Sequence, residues 1–293
     1  MTRILVIGKS GQLAQALVGV GGEAVLCPGR SVIDLLDAAS HASALESLAP
    51  DIVINTGAFT SVDGAESAPD AASALNVEGP RSLAEACDER GIPLIHISTD
   101  CVFDGTKPSA YTPEDVPHPL GIYGQTKLDG ERAVREVAEK SLIVRVSWLF
   151  SRFGGNFVRT MLALAQTRDA VTVVSDQFGC PTHTPDLARA LLDMAGQAAA
   201  PGFDAWGVYH LAGSGETNRA TMARAIYNES GRLGGPVADV VPILTVDYPT
   251  PAQRPLNARL DMTSTRDTFR IDLPPWTEGL KATVETMVKE MSA

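Results

Sequence analysis

Tyr123 and Lys127 are the side chains in this sequence with the clearest potential for proton transfer. They are four residues apart, so a helix would place both on one face. A lysine ammonium beside a tyrosine stabilises the phenolate, and we therefore expect it to lower the tyrosine pKa. Such a tyrosine can donate a proton to an oxygen atom while the attached carbon is reduced. The same spacing also fits two residues on a solvated helix face.

A second polar segment ends the apolar run at residues 92–98, which predicts a strand. It consists of Ser98, Thr99 and Asp100. In a doubly wound sheet this end of a strand faces the ligand crevice, so the two hydroxyls could bond the same substrate oxygen as Tyr123. Alternatively, Ser98 and Thr99 cap the loop that follows the strand.

A glycine-containing turn, Gly8-Lys-Ser-Gly11-Gln-Leu-Ala14, follows the first predicted strand and precedes the first predicted helix. Glycines here let the backbone turn tightly and approach a pyrophosphate at the helix N-terminus. The pattern is a shorter variant of the dinucleotide fingerprint, and its alternative is an ordinary strand-to-helix turn. After the second predicted strand, Arg30 favours NADP because no acid directly follows the strand. Asp34 could still reach the ribose of NAD.

The elements that would position these residues follow an alternating pattern. Apolar runs at 3–7, 23–27, 51–55, 92–98 and 141–147 alternate with helical stretches at 11–19, 38–48, 70–90 and 121–139. Nearly continuous apolar runs suit strands that are buried on both faces of a parallel sheet. The pattern predicts an α/β fold, with a Rossmann-like doubly wound parallel sheet and a smaller C-terminal α/β substrate-binding domain.

The second half of the chain has a looser pattern. Helices are predicted at 154–168, 184–197, 217–231 and 276–291, strands at 171–175 and 207–212, and extended chain or turns at 240–256. We expect an NADP-binding domain at 1–147 and 171–212. A second part is expected at 148–170 and 213–293.

Composition excludes several classes of partner. The 293 residues carry a formal net charge of -11, which disfavours binding to nucleic acid and to anionic membranes. A local basic pocket for an anionic substrate can coexist with such a surface. The cysteines, Cys27, Cys87, Cys101 and Cys180, are scattered without metal-ligand spacing, so no metal site is predicted and a reducing cytoplasm is expected.

Longer motifs carry a resemblance to a family. They are Asn55–Glu66, Ser98–Gly105, Pro119–Glu131, Arg145–Trp148, Asp176–Thr182 and Tyr248–Pro255. In this order they resemble the extended short-chain dehydrogenase/reductases, and within them the dTDP-4-dehydrorhamnose reductases. The resemblance covers nearly the whole chain, and it implies that the part at 148–170 and 213–293 is the sugar-nucleotide-binding part.

The resemblance implies a reaction, in which NADPH delivers hydride to C4 of a dTDP-linked 4-keto-6-deoxy-L-sugar. It implies that Tyr123 is the proton donor, that Lys127 also holds the nicotinamide ribose, and that Thr99 bonds the keto oxygen. For the cofactor it implies contacts by Gly11, Gln12 and Leu13 with the pyrophosphate, by Asp34 and Leu35 near the adenosine, and by Ala58, Phe59 and Thr60 after the third strand. Asp100, Trp148 and Arg254 are implied as substrate-binding residues. The alternatives are an ordinary core tryptophan and a surface arginine.

The sequence departs from the family at several positions. Cys101 replaces a tyrosine and Gly121 replaces an asparagine, both beside the predicted site. Gln15 and Pro185 stand where some members have magnesium-binding glutamates, so we carry over no metal and expect a monomer or weak homodimer. Two other functions stay open: a non-catalytic NADP-binding regulatory subunit, and a reductase of a different 4-keto sugar nucleotide. The intact set of Thr99, Tyr123 and Lys127 favours catalysis.

Overall fold

The fold is an α/β architecture, which a computed structural model describes for residues 2–292. The strands in chain order are Ile4–Ile7 (β1), Val25–Leu26 (β2), Ile52–Asn55 (β3), Leu94–Thr99 (β4), Ser141–Val146 (β5), Leu149–Phe150 (β6), Ala170–Val174 (β7), Phe178–Gly179 (β8), Thr182–His183 (β9), Gly207–Leu211 (β10), Thr217–Asn218 (β11), Asp239–Ile243 (β12) and Asn257–Ala258 (β13). The helices are Gln12–Gly21 (α1), Ala38–Leu48 (α2), Val62–Ser67 (α3), Pro69–Ser73 (α4), Gly79–Asp88 (α5), Ile122–Val137 (α6), Phe157–Ala165 (α7), Thr184–Ala198 (α8), Arg219–Arg232 (α9), Thr263–Phe269 (α10) and Trp276–Ser292 (α11). Met1 and Ala293, which the predicted domain division includes, lie outside the described residues.

The central sheet has six strands in the order β10-β5-β4-β3-β1-β2, and every neighbouring pair is parallel. The chain passes from β1 to β2 on one side, whereas β3 lies on the other side of β1. The loops after β1 and β3 therefore flank the point where the strand order reverses, which is where open α/β sheets bind ligands. The predicted doubly wound sheet is confirmed.

Both faces of the central sheet are covered because its strands alternate side chains between two cores. In β1, Ile4 and Val6 pack into a core with α1 and α8, while Leu5 and Ile7 pack into a core with α2, α5 and α6. This double burial explains why the strands are apolar at nearly every position.

A further core lies among α7, α9, α11, β7 and β12. Here the structure differs from the division expected from sequence, because β7 does not join the central sheet. It pairs with β12, with Val171 opposite Val240, and only one of its faces is buried. Alternating burial is what a two-stranded sheet over a single core requires. By contrast, α8 and β10 do belong with the central sheet.

The helix predicted at 70–90 runs from Pro69 to Asp88, with a π-helical turn at Ala74–Glu78 between α4 and α5. No helix within residues 2–292 is long and apolar enough to cross a membrane. The same residues contain no group of three or more His, Cys, Asp or Glu side chains placed to hold a metal ion.

Candidate active site

A cavity of about 520 Å³ lies at the carboxyl ends of β1, β3, β4 and β5. The structure brings most of the predicted site residues to its wall. These are Gly11, Gln12, Leu13, Ala58, Thr60, Thr99, Asp100, Tyr123, Lys127, Trp148 and Arg254.

Other predicted site residues are not part of this wall. Leu35 is buried in the core with α2 and α5, and Arg30 is exposed after β2. The Asp34 carboxylate accepts a hydrogen bond from the Leu36 backbone N–H at 3.1 Å. The Phe59 backbone is hydrogen-bonded to the Asn76 side chain. Gly8 forms the turn before α1 without lining the cavity. A role for these residues in cofactor binding stays a prediction.

The glycine turn fits a phosphate. Gly8 has a φ of 107°, and a Cβ there would lie 2.7 Å from the Thr56 hydroxyl oxygen, so no other residue fits without displacement. No side chain caps the N-terminus of α1 at Gly11, and the first residues of that helix line the cavity. Backbone N–H groups in the first turn are therefore available to an anion.

Tyr123 is in the first turn of α6 and lines the cavity together with Thr99. Burial raises its pKa, as do the neighbouring Cys101 and Asp100, while a hydrogen bond with the Thr99 side chain lowers it. The expected lowering of this pKa by Lys127 is wrong for this structure. The phenol therefore stays protonated at neutral pH, as a proton donor must.

Lys127 explains the difference, because its ammonium is directed into the protein. Its Nζ donates to the Ile97 carbonyl oxygen at 2.7 Å and lies 3.5 Å from His96 Nε2. Burial lowers the pKa of Lys127 to about 8, and Glu131 opposes that effect. The pKa of His96 is lowered by burial and by Lys127, so the imidazole is neutral.

Asn55 orients this histidine. Its Oδ1 accepts from the Gly57 backbone N–H at 3.0 Å, so its amide nitrogen faces His96 Nδ1 at 3.1 Å and donates to it. Nδ1 is then an acceptor, and the hydrogen of the neutral ring is on Nε2, towards Lys127. A fully buried network thus lies directly beneath the predicted catalytic lysine.

Ser98 does not share the role expected for Thr99. Its hydroxyl donates to Glu131, whose carboxylate also accepts from Arg145 Nε at 2.9 Å and Nη2 at 2.7 Å. This buried ion pair joins α6 to β5 one turn after Lys127. The Thr99 hydroxyl donates to Asp100 Oδ1 at 2.9 Å, while Ser147 donates to Asp100 Oδ2 at 2.7 Å.

Asn76, in the π-helical turn, bridges two elements of the site. Its Oδ1 accepts from the Phe59 N–H at 2.9 Å, and its Nδ2 donates to the Phe59 carbonyl and to the Thr126 hydroxyl. The loop after β3 is thereby tied to α6, which carries Tyr123. Single π turns of this kind often occur at functional sites.

The unusual residues Cys101 and Gly121 both lie beside Tyr123. Burial raises the pKa of Cys101 to about 12, so it is a neutral thiol. A Cβ at Gly121 would lie 2.6 Å from Glu66 Oε1, which accepts from the Ile122 N–H at 2.8 Å. The carboxylate thus caps the N-terminus of α6 in the space that a side chain at 121 would need.

Trp148 follows β5 in a left-handed conformation, with a φ of 45°, which is uncommon for a residue other than glycine. Its ring lies between Gly179, where a Cβ would be 2.5 Å from Cε2, and the Arg219 guanidinium, 3.5 Å from the ring centroid. Trp148 therefore lines the cavity in a fixed orientation. Arg254 also lines it, but its Nη2 forms an ion pair with Asp63 at 2.8 Å.

Sequence reasoning missed several residues of this wall, chiefly Ser10, Ile97, Gly154, Gln177 and Arg219. A signal for Arg219 was present in the sequence. It follows Asn218, which caps α9 by accepting from the Thr221 N–H at 2.8 Å. A cation in the first turn opposes the helix dipole, so a position after a strong N-cap is an unusual place for an arginine.

Comparisons with known proteins show the family of this chain. A family model described as the RmlD substrate binding domain matches residues 1–289. The chain is 42% identical to the dTDP-4-dehydrorhamnose reductase of Sinorhizobium fredii, with 98% of each chain covered. The chain belongs to the dTDP-4-dehydrorhamnose reductase family.

Two further members of the family are similar over nearly their whole length. The reductase of Aggregatibacter actinomycetemcomitans is 39% identical, covering 96% of this chain and 98% of the relative. A solved dTDP-4-dehydrorhamnose reductase from Bacillus anthracis, in complex with NADP, has a TM-score of 0.89 and 30% identity. That match covers 96% of this chain and 98% of the other. The resemblance found in the sequence is confirmed.

Proposed function

We propose that this chain is an NADPH-dependent reductase of a dTDP-linked 4-keto-6-deoxy-L-sugar, the product being dTDP-L-rhamnose. One observation supports this most directly. Tyr123 and Thr99 line the same cavity as the uncapped N-terminus of α1. A proton donor and a phosphate-binding helix end are what the reaction needs at one site.

The cofactor is proposed to bind between the loops after β1 and β3. Gly11, Gln12 and Leu13 would hold its pyrophosphate through backbone N–H groups, and Lys127 its nicotinamide ribose. Arg30, exposed after β2, provides a cation for the phosphate that distinguishes NADP from NAD. When bound, NADPH supplies the hydride.

The protein's own residues supply the proton that the keto oxygen takes up. The Thr99 hydroxyl turns from Asp100 towards the keto oxygen and donates to it. Tyr123 gives its phenolic proton to the same oxygen as hydride reaches C4, so the C=O bond becomes CH–OH. The phenolate then regains a proton from solvent, while the Lys127 ammonium, one helical turn away, would hold the nicotinamide ribose.

The substrate part is proposed to lie beside the core of α7, α9 and α11. Trp148 would present its ring to the sugar nucleotide, and Asp100 would lie beside the substrate. Arg254 would contact a substrate phosphate if it exchanged its Asp63 partner. The separate cores of the fold support a division into two such parts, with β7 in the substrate part and not in the NADP-binding domain.

A direct assay tests the proposal. The purified chain is mixed with NADPH and the dTDP-4-keto-6-deoxy-L-sugar, and loss of reduced nicotinamide absorbance is followed, with NADH in a parallel sample. We expect turnover, with NADPH preferred. Binding of NADPH without turnover would identify the non-catalytic alternative. Faster turnover of another 4-keto sugar nucleotide would change the substrate but not the chemistry.

A further inference from the structure

Arg219 is the first residue of α9 and reaches the cavity from the second core. Its guanidinium carbon lies 3.5 Å from the Trp148 ring centroid and 5.1 Å from that of Phe157. Planar stacking of this kind fixes the orientation of a guanidinium and leaves its N–H groups free at the edges. Two aromatic rings thus fix the orientation of the Arg219 side chain.

No acceptor satisfies this guanidinium among residues 2–292, where neither a hydrogen bond nor an ion pair involves its nitrogens. Other buried or partly buried arginines of the chain do have such partners. Arg145 is paired with Glu131 and Arg254 with Asp63. Arg219 is partly exposed on the cavity wall, so the free edges of its guanidinium are available to an anion from outside the protein.

No contact within the described part of the fold accounts for the positive charge of Arg219 at this position. At the start of α9 it opposes the helix dipole. Burial and the positive charge of Arg254 lower its pKa to about 10, while Asp100 and Cys101 act in the opposite direction. The guanidinium remains charged at neutral pH. Asp100 does not pair with it directly, since the hydrogen bonds of its carboxylate come from Thr99 and Ser147.

The charge of the cavity wall points to the missing anion. Among its described lining residues, Lys127, Arg219 and Arg254 are cationic and Asp100 is the single acid. Arg219 and Arg254 line the same cavity, and the positive charge of Arg254 lowers the pKa of Arg219. Two arginines in one cavity are suited to a ligand with two adjacent negative charges.

We propose that Arg219, stacked on Trp148, binds the diphosphate of the nucleoside diphosphate sugar, with Arg254 on the same group. This inference rests on the proposed function for the identity of the ligand. It assigns the diphosphate to a residue for which neither the motifs nor the comparisons gave a role. The cofactor's own pyrophosphate is assigned to the N-terminus of α1, so NADPH should not depend on Arg219.

Calorimetric titration tests the proposal on the full chain, with dTDP, thymidine and NADPH as separate probes. Arg219→Gln removes the charge, and Arg224→Gln on the exposed side of the same helix is the matched control. We expect Arg219→Gln to weaken dTDP binding roughly ten- to a hundredfold, as loss of charge-assisted hydrogen bonds does. Thymidine and NADPH affinities, and all three affinities in the control, should be unchanged.

Several outcomes separate the possibilities. Unchanged dTDP affinity in Arg219→Gln would overturn the inference, and so would an equal loss for dTDP and thymidine, which would place Arg219 at the base. If the variant does not fold, competition between inorganic pyrophosphate and dTDP in the wild-type protein decides, and absence of competition contradicts the proposal. Should the wild type bind dTDP through Arg219 but not reduce the keto sugar, the proposed function fails and the diphosphate site stands.

Discussion

Tyr123 holds its proton tightly in this structure, because burial and two neighbouring acidic groups raise its pKa. Its replacement by phenylalanine removes the proton donor but preserves the ring. We expect Tyr123→Phe to lower kcat by roughly a hundredfold or more, the scale of general acid catalysis. NADPH affinity, measured by fluorescence titration, should change little.

A matched control is Tyr248→Phe, since Tyr248 is 53% exposed and does not line the cavity. That variant should retain wild-type kcat. Near-normal turnover in Tyr123→Phe would show that another group, or water, protonates the keto oxygen.

Lys127 makes the reaction sensitive to pH. Burial brings its pKa down from 10.5 to about 8, so the ammonium is lost as pH rises through that value. Because the ammonium would bind the nicotinamide ribose through charge-assisted hydrogen bonds, kcat/KM should be constant below pH 8 and fall above it. An arginine stays charged throughout this range, so Lys127→Arg should lose that alkaline limb, whatever its absolute rate. A limb that persists unchanged in the variant would assign the titration to a different group.

The sequence could predict the residues that belong to local patterns. Tyr123, Lys127 and Thr99 were recognisable because each lies in a short motif next to a predicted element. The Asn55–His96 pair was not, because those residues are 41 positions apart and meet only through the register of β3 and β4. Lys127 shows the limit of prediction from sequence. Its place in the motif with Tyr123 could be read from the sequence, but its hydrogen bond to the Ile97 carbonyl depends on how α6 packs on β4.

The α6 helix depends on one buried ion pair for its place on the sheet. Glu131 and Arg145 side chains are 3% and 4% exposed, and they form two hydrogen bonds. Glu131→Gln would leave the Arg145 charge buried without a counter-charge. We expect a loss of about 3–5 kcal/mol in the free energy of unfolding, measured by urea denaturation.

Glu136→Gln is the control on the same helix, because the Glu136 side chain is 68% exposed where it contacts Arg81. That change should leave the denaturation midpoint nearly unaltered. Equal effects of the two substitutions would mean that the buried pair does not anchor α6.

Element types were predictable where the hydrophobic pattern was long. The central strands and helices α1, α2, α6 and α8 appeared near their predicted positions. Two-residue strands such as β8 and β11 carry no periodicity, and the pairing of β7 with β12 joins segments separated by α8, β10 and α9. Such pairings depend on the tertiary structure and are not readable from one segment.

The whole molecule combines an acidic formal charge of -11 with a cavity whose wall is mainly cationic. Such a cavity attracts an anionic substrate locally although the exterior repels it. Salt screens both the attraction by the cavity and the repulsion by the exterior, but the attraction at the site dominates substrate binding. We therefore expect kcat/KM for the dTDP-sugar to fall several-fold as ionic strength rises from about 0.01 M to about 0.15 M.

Arg254→Gln should make this salt dependence shallower, since it removes one cation from the wall. Steady-state kinetics at fixed pH and several salt concentrations measure both slopes. A kcat/KM that rises with salt would show that repulsion by the acidic surface outweighs attraction by the cavity.

The position of β10 affects how the chain can fold while it is being synthesised. It borders β5 in the central sheet, but β5 ends at Val146 and β10 begins only at Gly207. While the ribosome makes the intervening segment, β5 is an unpaired edge and the apolar face of α1 still lacks α8. Nascent chains in that state are prone to pair with one another. A fragment ending at residue 147 would keep that exposed edge permanently, so the dinucleotide half of this protein becomes self-sufficient only after much of its other half has been translated.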